Sequence, residues 1–378
     1  MPAYIGVNGK AKAIAKVYKG DSNGKAQLIW GPKGIVKYTG NIKDLSVARH
    51  HLSATTVGNY ALFGGGSSAT NTNEHVTYYS TVDAYNTSLT RTTATDLSEK
   101  KFYLAATTVG NYALFGGGCY DYDNRKYVST VDAYNTSLTR TTATSLREKK
   151  YSLTATTVGD HALFGGGFGN TSRGGRNYLS TVDAYNTSLT RTTATSLSAA
   201  RYRMSATTVG NYALFAGGVS RSNSTDSYYS TVDAYNTSLT RTTATDLSEK
   251  KFYLSATTVG NYALFGGGCI GTYSSTSTVD AYDSFLTRTT ATSLNGVRDE
   301  LGATTVGNYA LFGGGLYRGH YDVRTVEVYD SSLTRTTATD LSHSRSSPEA
   351  TTVGNYALFG GGRWSDTLST VDAYYIWE

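Results

Sequence analysis

The stretch Ala54–Gly66, with the sequence ATTVGNYALFGGG, decides the fold because the chain carries it seven times in nearly the same form. A second string, TV(D/E)(A/V)Y, follows every copy, and a third, LTRTTAT, follows six of them. The copies lie 47 to 52 residues apart, and their first threonines are Thr55, Thr107, Thr156, Thr207, Thr257, Thr304 and Thr351. Self-similarity at this period predicts a solenoid, a propeller or a related repeat architecture.

The constant strings are typical of β-strands. SATTV and YALF are short and rich in β-branched, aromatic and small residues, and the Gly58–Asn59 pair between them is a tight-hairpin signal. TVDAY alternates, RTTAT is β-branched, and no segment shows the spacing of an amphipathic helix. Each unit is therefore predicted to be a four-stranded antiparallel meander, with strands a to d. Seven such units predict an all-β fold, a seven-bladed β-propeller.

Two constant features resemble the Kelch repeat. A double glycine closes strand b, and a tyrosine, Tyr85 in the first unit, lies late in strand c. The resemblance covers residues 33–378 and implies a Kelch-like propeller domain over that range. The chain departs from the family at strand d, where Arg91 and its copies lie near the usual tryptophan position.

The two ends of the repeat region predict how the ring closes. The seventh unit reaches Glu378 with strands a, b and c but no strand d. Asp44–Thr56 aligns without gaps on Asp96–Thr108, so residues 35–43 occupy a strand-d position that has no blade of its own. We expect this segment to complete the last blade, because a ring without it would leave an exposed edge strand at each end.

Residues 1–32 are predicted to be a separate attachment module. The string NGKA occurs at Asn8–Ala11 and Asn23–Ala26 between alternating runs, which predicts a meander of about four strands. This segment is too small to bury a core alone, so we expect it to dock, pair or oligomerise. It resembles a short module at the start of phage and prophage structural proteins of Gram-positive bacteria, which implies other virion subunits as partners.

Composition argues against several classes of protein. The 378 residues carry a net charge of +6, but residues 1–50 hold eight Lys and one Arg against two Asp. The rest is nearly neutral, so we expect no nucleic-acid partner. No apolar run is long enough for a membrane span or a secretory signal, which predicts synthesis in the bacterial cytoplasm. Cys119 and Cys269 are predicted to be free thiols.

The differences between repeats are concentrated in two kinds of loop. The a–b and c–d turns barely change, whereas the b–c and d–a loops differ in almost every unit. Because these pairs lie on opposite faces of an up-and-down blade, one face is predicted to be uniform. The other, here called the variable face, collects 15 of the 32 tyrosines in its loops. Tyr, Ser, Gly, Asn and Arg are typical of adaptable binding surfaces, although drift of long polar loops is the alternative.

Candidate ligand contacts are the aromatic and basic residues of these loops. From the b–c loops they are Tyr120, Tyr122, Arg125, Tyr127, Arg176, Tyr178, Tyr228, Tyr317, His320, Tyr321, Arg363 and Trp364. From the d–a loops they are Lys101, Phe102, Tyr151, Tyr202, Arg203, Lys251 and Phe252.

Signals for catalysis or metal binding are weak. The six histidines are scattered, and the Asp121–Asn124 stretch lacks the rest of a calcium-binding motif. Asp83, Arg91 and their copies are predicted to form structural ion pairs rather than acid–base catalysts. We therefore expect no enzymatic activity, no cofactor and no metal.

The favoured hypothesis is a virion- or tail-associated protein that binds a surface glycan, a cell-wall polymer or a protein receptor through the variable face. A structural decoration or assembly protein of a virion is the first alternative. An intracellular Kelch-type adaptor for protein partners is the second.

Overall fold

The computed structural model describes residues 3–7, 10–14, 17–20, 26–30, 34–68, 76–121, 124, 126–170, 175–222, 225–271, 274–317 and 320–377. Before residue 34 and at Arg176, the description covers the backbone only. These ranges contain strands, turns and bends, and no helix among them is long and apolar enough to cross a membrane. The predicted all-β class is confirmed.

The described part of residues 34–377 forms seven four-stranded antiparallel sheets, here called blades 1 to 7. Strands a are Ser53–Val57, Ala105–Val109, Thr154–Val158, Ser205–Val209, Ser255–Val259, Gly302–Val306 and Glu349–Val353. Strands b are Tyr60–Gly64, Tyr112–Gly116, His161–Gly165, Tyr212–Ala216, Tyr262–Gly266, Tyr309–Gly313 and Tyr356–Gly360. Strands c are Val82–Asn86, Val131–Tyr134, Val182–Tyr185, Val232–Tyr235, Val279–Tyr282, Val326–Tyr329 and Val371–Trp377. Strands d are Arg91–Thr93, Arg140–Ala143, Arg191–Thr193, Arg241–Thr243, Arg288–Ala291, Arg335–Thr337 and, in blade 7, Ile35–Asn41.

Short hairpins extend the b–c loops. They pair Ser67–Ser68 with Thr77–Tyr78, Cys119–Asp121 with Lys126–Tyr127, Phe168–Asn170 with Arg176–Tyr178, Val219–Ser222 with Thr225–Tyr228, Cys269–Gly271 with Ser274–Ser275, and Leu316–Tyr317 with Tyr321–Asp322. Lys150–Tyr151 adds a third strand to the blade 3 hairpin. At the start of the chain, Ala3–Val7 pairs with Lys10–Ile14 and Val17–Gly20 pairs with Ala26–Trp30. The described residues before 34 thus form two hairpins rather than one continuous meander.

The turns divide into the two faces expected from the sequence. Val57 pairs with Tyr60 around a two-residue turn in which Gly58 has a φ of 52°. A Cβ at Gly58 would lie 2.9 Å from Thr136, in the c–d turn of the next blade. At the other end of the blade, His50 of the d–a loop pairs with Ser67 of the b–c loop. The a–b and c–d turns therefore share one face, and the variable face carries the other loops.

A ring of threonine hydroxyls joins the inner strands. Thr55 Oγ1 lies 2.9 Å from Thr108 Oγ1 in the next blade, and the equivalent contact joins every pair of neighbouring strands a. The last contact returns from Thr351 to Thr56 at 3.0 Å, which closes the circle. The repeated Thr-Thr pair is thus explained, because each strand a bonds two neighbours.

The core lies between the blades. One cluster packs Leu62 and Val82 of blade 1 against Phe115 and Tyr134 of blade 2, and its equivalents recur around the ring. The first glycine of the triplet makes room for this packing, since a Cβ on Gly64 would meet the Phe115 ring at 2.8 Å. Phenylalanine and tyrosine therefore supply the packing between blades.

The predicted closure is confirmed. Ile35–Asn41 pairs antiparallel with Val371–Trp377 and supplies the fourth strand of blade 7. The Tyr38 hydroxyl donates a hydrogen bond of 2.6 Å to Asp372. This side-chain contact joins the first strand of the ring to the last.

Candidate functional site

Seven residues with unusual backbone geometry surround the propeller axis on the variable face. Each lies two positions before a strand a and has a left-handed φ between 48° and 56°. They are His51, Tyr103, Ser152, Arg203, Tyr253, Glu300 and Ser347, here called the axial ring. Such φ values are unfavourable for residues other than glycine, and strain of this kind is concentrated at functional sites.

Backbone hydrogen bonds hold the axial ring together. The N–H of Tyr103 donates to the carbonyl of His51, and the same link repeats through each successive member to Ser347, at 2.8 to 3.3 Å. Leucines such as Leu89 share the positive φ in the c–d turns, but there the same side chain recurs in six blades and packs on the core. The axial ring instead carries five different residue types, so its backbone is uniform and its chemistry is diversified.

The axial ring surrounds a cavity of about 190 Å³. Glu349 also lines this cavity, together with the leucines that follow the ring members. A groove of about 510 Å³ shares His51, Tyr103 and Glu300 with the cavity and runs toward the b–c loops of blades 6 and 7. His320, Arg363 and Trp364 line that groove, so the structure brings three of the predicted contacts to the edge of the central site.

Arg203 is the cation of the cavity. Its guanidinium carbon lies 4.7 Å from the centre of the Tyr202 ring and 4.4 Å from that of Tyr253. No carboxylate of the described residues lies within ion-pair distance of it, and its buried Nε has no hydrogen-bond partner there. Stacking on aromatic rings stabilises a guanidinium without using its hydrogen-bond donors.

Burial shifts the pKa values of the acidic and imidazole groups beside Arg203 in the direction of their neutral forms. Burial raises the pKa of Glu300, whose carboxylate accepts a 2.7 Å hydrogen bond from Ser347. Burial, followed by the charge on His50, lowers the pKa of His51 well below its usual value. The His51 ring stacks on Tyr103 with 3.9 Å between centroids. The cavity therefore combines one cation with a carboxyl of raised pKa, an imidazole of lowered pKa, and hydroxyl and aromatic groups.

Glu349 begins strand a of blade 7, where the other blades have serine, alanine, threonine or glycine. Burial raises the pKa of this carboxyl to about 8. It lines both the cavity and the axial channel beneath, whose walls are otherwise small side chains, leucines, Met204 and Pro348. The neutral carboxylic acid can donate as well as accept a hydrogen bond there.

Several predicted contacts are exposed on the variable face. Tyr321 is 70% exposed, Trp364 51% and Tyr120 42%, and His320 and Arg363 are also exposed. Tyr178, Tyr202, Tyr228 and Tyr317 are half-buried. Tyr228 stacks on the half-buried Phe252 of the neighbouring loop with the ring planes 5° apart.

Three predicted contacts support the loops from beneath. Phe102, Tyr127 and Tyr151 are buried and form one aromatic cluster with Cys119. Tyr127 and Tyr151 are stacked 5.0 Å apart. Tyr122, Arg125 and the side chain of Arg176 lie outside the described residues.

The structure corrects the prediction for Lys101 and Lys251. Both side chains are fully buried, and their Nζ atoms lie 2.8 and 2.9 Å from Asp132 and Asp280. A ligand on the variable face cannot reach these atoms. Burial lowers the pKa of both lysines. Burial alone would raise the pKa of Asp132, but the charge of Lys101 outweighs it, so the pKa of this carboxyl lies below its usual value.

These lysines belong to ion-pair triads that recur in the blades. In blades 1 to 6, the buried strand-c carboxylate contacts a buried cation of the d–a segment and an arginine of strand d. The triads are Arg49–Asp83–Arg91, Lys101–Asp132–Arg140, Lys150–Asp183–Arg191, Arg201–Asp233–Arg241, Lys251–Asp280–Arg288 and Arg298–Glu327–Arg335, and in blade 7 Asp372 has Arg345 and Tyr38. The predicted ion pair between Asp83 and Arg91 is present, and its buried third member, Arg49, was missed.

A signal in the sequence could have distinguished the buried framework cations from the residues of the axial ring. The residue four positions before strand a is Lys or Arg in all seven units, whereas the residue two positions before it varies from His to Glu. Constancy at the first position indicates a framework cation, and variation at the second indicates the axial ring. Of that ring, only Arg203 was among the predicted contacts.

The described residues contain no group of three His, Cys, Asp or Glu placed to hold a metal ion. In this part of the chain Cys119 and Cys269 form no disulfide, and burial raises the pKa of the Cys269 thiol above its usual value.

Comparisons with known proteins identify the fold alone. No family model and no curated protein matches the chain. The solved structure of YjhT, which has a propeller-type fold, is similar with a TM-score of 0.58 over 74% of this chain and 95% of that one, at 11% sequence identity. At this identity the likeness carries no information about ligands. Together with the ring of four-stranded sheets, it shows that the chain is a β-propeller.

Proposed function

We propose that this protein is a non-enzymatic receptor-binding or adhesion protein, associated with a phage or prophage virion or tail, that uses its variable face to bind a surface glycan or protein. The observation that carries the proposal is the contrast between the two faces of the ring. One face repeats the same turns, while the other places different aromatic, basic and acidic side chains on equivalent backbone positions.

The geometry supports binding rather than decoration of a larger particle. Tyr321 and Trp364 expose large aromatic surfaces on the variable face, and the groove between the loops of blades 6 and 7 leads from Trp364 to the axial cavity. Concave sites with aromatic walls and a few polar groups are typical of ligand sites. Two parts of the proposal rest on sequence resemblance alone. These are the assignment of the repeats to the Kelch type and the role of residues 1–32 as an attachment module.

Adhesion of the purified full-length protein to candidate host cells tests the proposal. We expect Tyr321→Ala and Trp364→Ala to weaken adhesion at least several-fold. Phe285→Ser is the matched control, because Phe285 is 87% exposed in a c–d turn of the uniform face, where other copies have serine. Adhesion that Phe285→Ser weakens as much as the loop variants do would contradict the proposal.

The composition of purified particles distinguishes receptor binding from the alternative, structural decoration of a virion. A virion subunit that only decorates the particle would be found by mass spectrometry in a fixed number of copies, while the purified protein would not adhere to cells. That combination of results would replace receptor binding by decoration.

A further inference from the structure

We infer that the axial cavity binds the carboxylate-bearing terminal sugar of a glycan, with Arg203 as the residue that holds the carboxylate. This inference rests on the proposed binding function of the variable face, and it names the ligand chemistry of its centre.

The unpaired state of Arg203 is the first argument. Arg49, Arg201 and Arg345 are buried, and each lies within 2.8 Å of a carboxylate, whereas Arg203 is half-buried. Arg203 instead lies between two tyrosine rings at the cavity wall with no such partner among the described residues. The planar guanidinium is suited to bidentate recognition of a carboxylate. The missing acceptor is therefore expected to come from the ligand.

The acids of the cavity do not supply that acceptor. Glu300 is engaged by Ser347, and no ion pair joins it to Arg203. Burial raises the pKa of Glu300, and it raises the pKa of Glu349 to about 8, so Glu349 is a weak partner for an ammonium group at neutral pH. This arrangement favours an anion with a neutral body over a zwitterion such as a free amino acid.

The remaining members of the axial ring fit a hydroxylated body. Ser152, Ser347 and Tyr253 can each donate and accept hydrogen bonds, and burial raises the pKa of the Tyr253 phenol well above its usual value, which keeps it protonated. The cavity of about 190 Å³ corresponds to roughly six water molecules of liquid, which suits one sugar ring. Since the groove opens from the cavity, the rest of a glycan chain has an exit.

Titration calorimetry on the full-length protein tests the inference with glucuronate, glucose and a blocked aspartate as probes. We expect glucuronate to bind at least about tenfold more tightly than glucose, because glucose lacks the charge-assisted contact with Arg203. We also expect it to bind more tightly than blocked aspartate, which makes that contact but has no ring hydroxyls for Ser152, Ser347 and Tyr253. Arg203→Gln should lose at least about tenfold in glucuronate affinity, while Arg203→Lys, which keeps the charge, should lose less. Arg324→Gln is the matched control, since Arg324 lies in the b–c loop of blade 6 with 59% of its side chain exposed.

Equal binding of glucuronate and glucose would overturn carboxylate recognition, as would full affinity in a folded Arg203→Gln variant. If none of the three probes binds, the axial cavity is not the ligand site inferred here. Tighter binding of blocked aspartate than of glucuronate would replace the glycan by an acidic peptide. The cell-adhesion assay distinguishes this failure from failure of the proposed function. Adhesion that depends on Tyr321 and Trp364 but not on Arg203 would retain the function and reject the inferred ligand.

Discussion

Replacing Lys101 by methionine distinguishes a framework role from a ligand-binding role. The Lys101 Nζ atom lies 2.8 Å from Asp132 Oδ2, and both side chains are fully buried. Methionine keeps much of the length and apolar volume of lysine but removes the charge. We expect Lys101→Met to destabilise the fold and to leave ligand binding by the variable face unchanged.

The size of the effect follows from what remains around Asp132. Removing one partner of a buried ion pair costs about 3 to 5 kcal/mol, because the other charge is left uncompensated. In this case Arg140 stays 3.1 Å from Asp132, and the backbone N–H of Ser98 donates to the same carboxylate at 3.1 Å. The lower end, about 3 kcal/mol in the free energy of unfolding, is therefore expected.

Urea unfolding followed by circular dichroism measures this loss. Lys100→Met is the matched control, because Lys100 is the preceding residue of the same segment and is exposed. A surface change of this kind should alter the unfolding free energy by no more than about 0.5 kcal/mol. The double variant Lys101→Met/Asp132→Leu should recover part of the loss, since it removes both buried charges but also the partner of Arg140 and of the Ser98 N–H.

Equal urea midpoints for Lys101→Met and Lys100→Met would refute the buried-pair reasoning. So would a Lys101→Met variant with normal stability and weakened ligand binding, because that result would return Lys101 to the binding surface.

Three further predictions concern the axial channel, the closure and the threonine ring. Burial raises the pKa of Glu349 from 4.5 to about 8, so the native state keeps a proton that the unfolded chain loses, and stability should fall as pH rises between these values. Glu349→Gln should remove that fall in urea midpoint, and an unchanged pH dependence would contradict the assignment. Deleting residues 33–43 should lower the melting temperature by many degrees, whereas deleting 1–32 should not; equal melting curves would reject the closure as a stabilising contact. Thr304→Val should cost about 1 kcal/mol in urea unfolding, because it removes one 2.9 Å hydroxyl contact with Thr352, and no loss would mean that the ring does not contribute.

The local structure could be predicted because the strands and turns of each repeat depend on residues that are close in sequence. The Gly58–Asn59 turn, the β-branched strands and the constant tyrosines all depend on neighbouring residues. The closing strand was also predictable, since the alignment of Asp44–Thr56 on the second unit left residues 35–43 without a blade. The division into uniform and variable faces followed from the alternation of turns along an up-and-down sheet.

The side-chain directions within a d–a segment could not be predicted from composition. Lys101, Phe102 and Tyr103 are adjacent, yet the first enters an ion-pair triad, the second an aromatic cluster and the third the axial cavity. The left-handed backbone at Tyr103 turns the chain there, and nothing in a single unit shows it.

The sequence by itself determined the repeated sheets, their closure and the face that varies, because strand periodicity, turns and unit length are local properties. The tertiary structure alone decided that residues about 50 positions apart, Arg203, Tyr253 and Glu300 among them, line one cavity. They become neighbours only when the ring closes around its axis. Burial at that axis then raises the pKa of Tyr253 and Glu300, which no local pattern specifies.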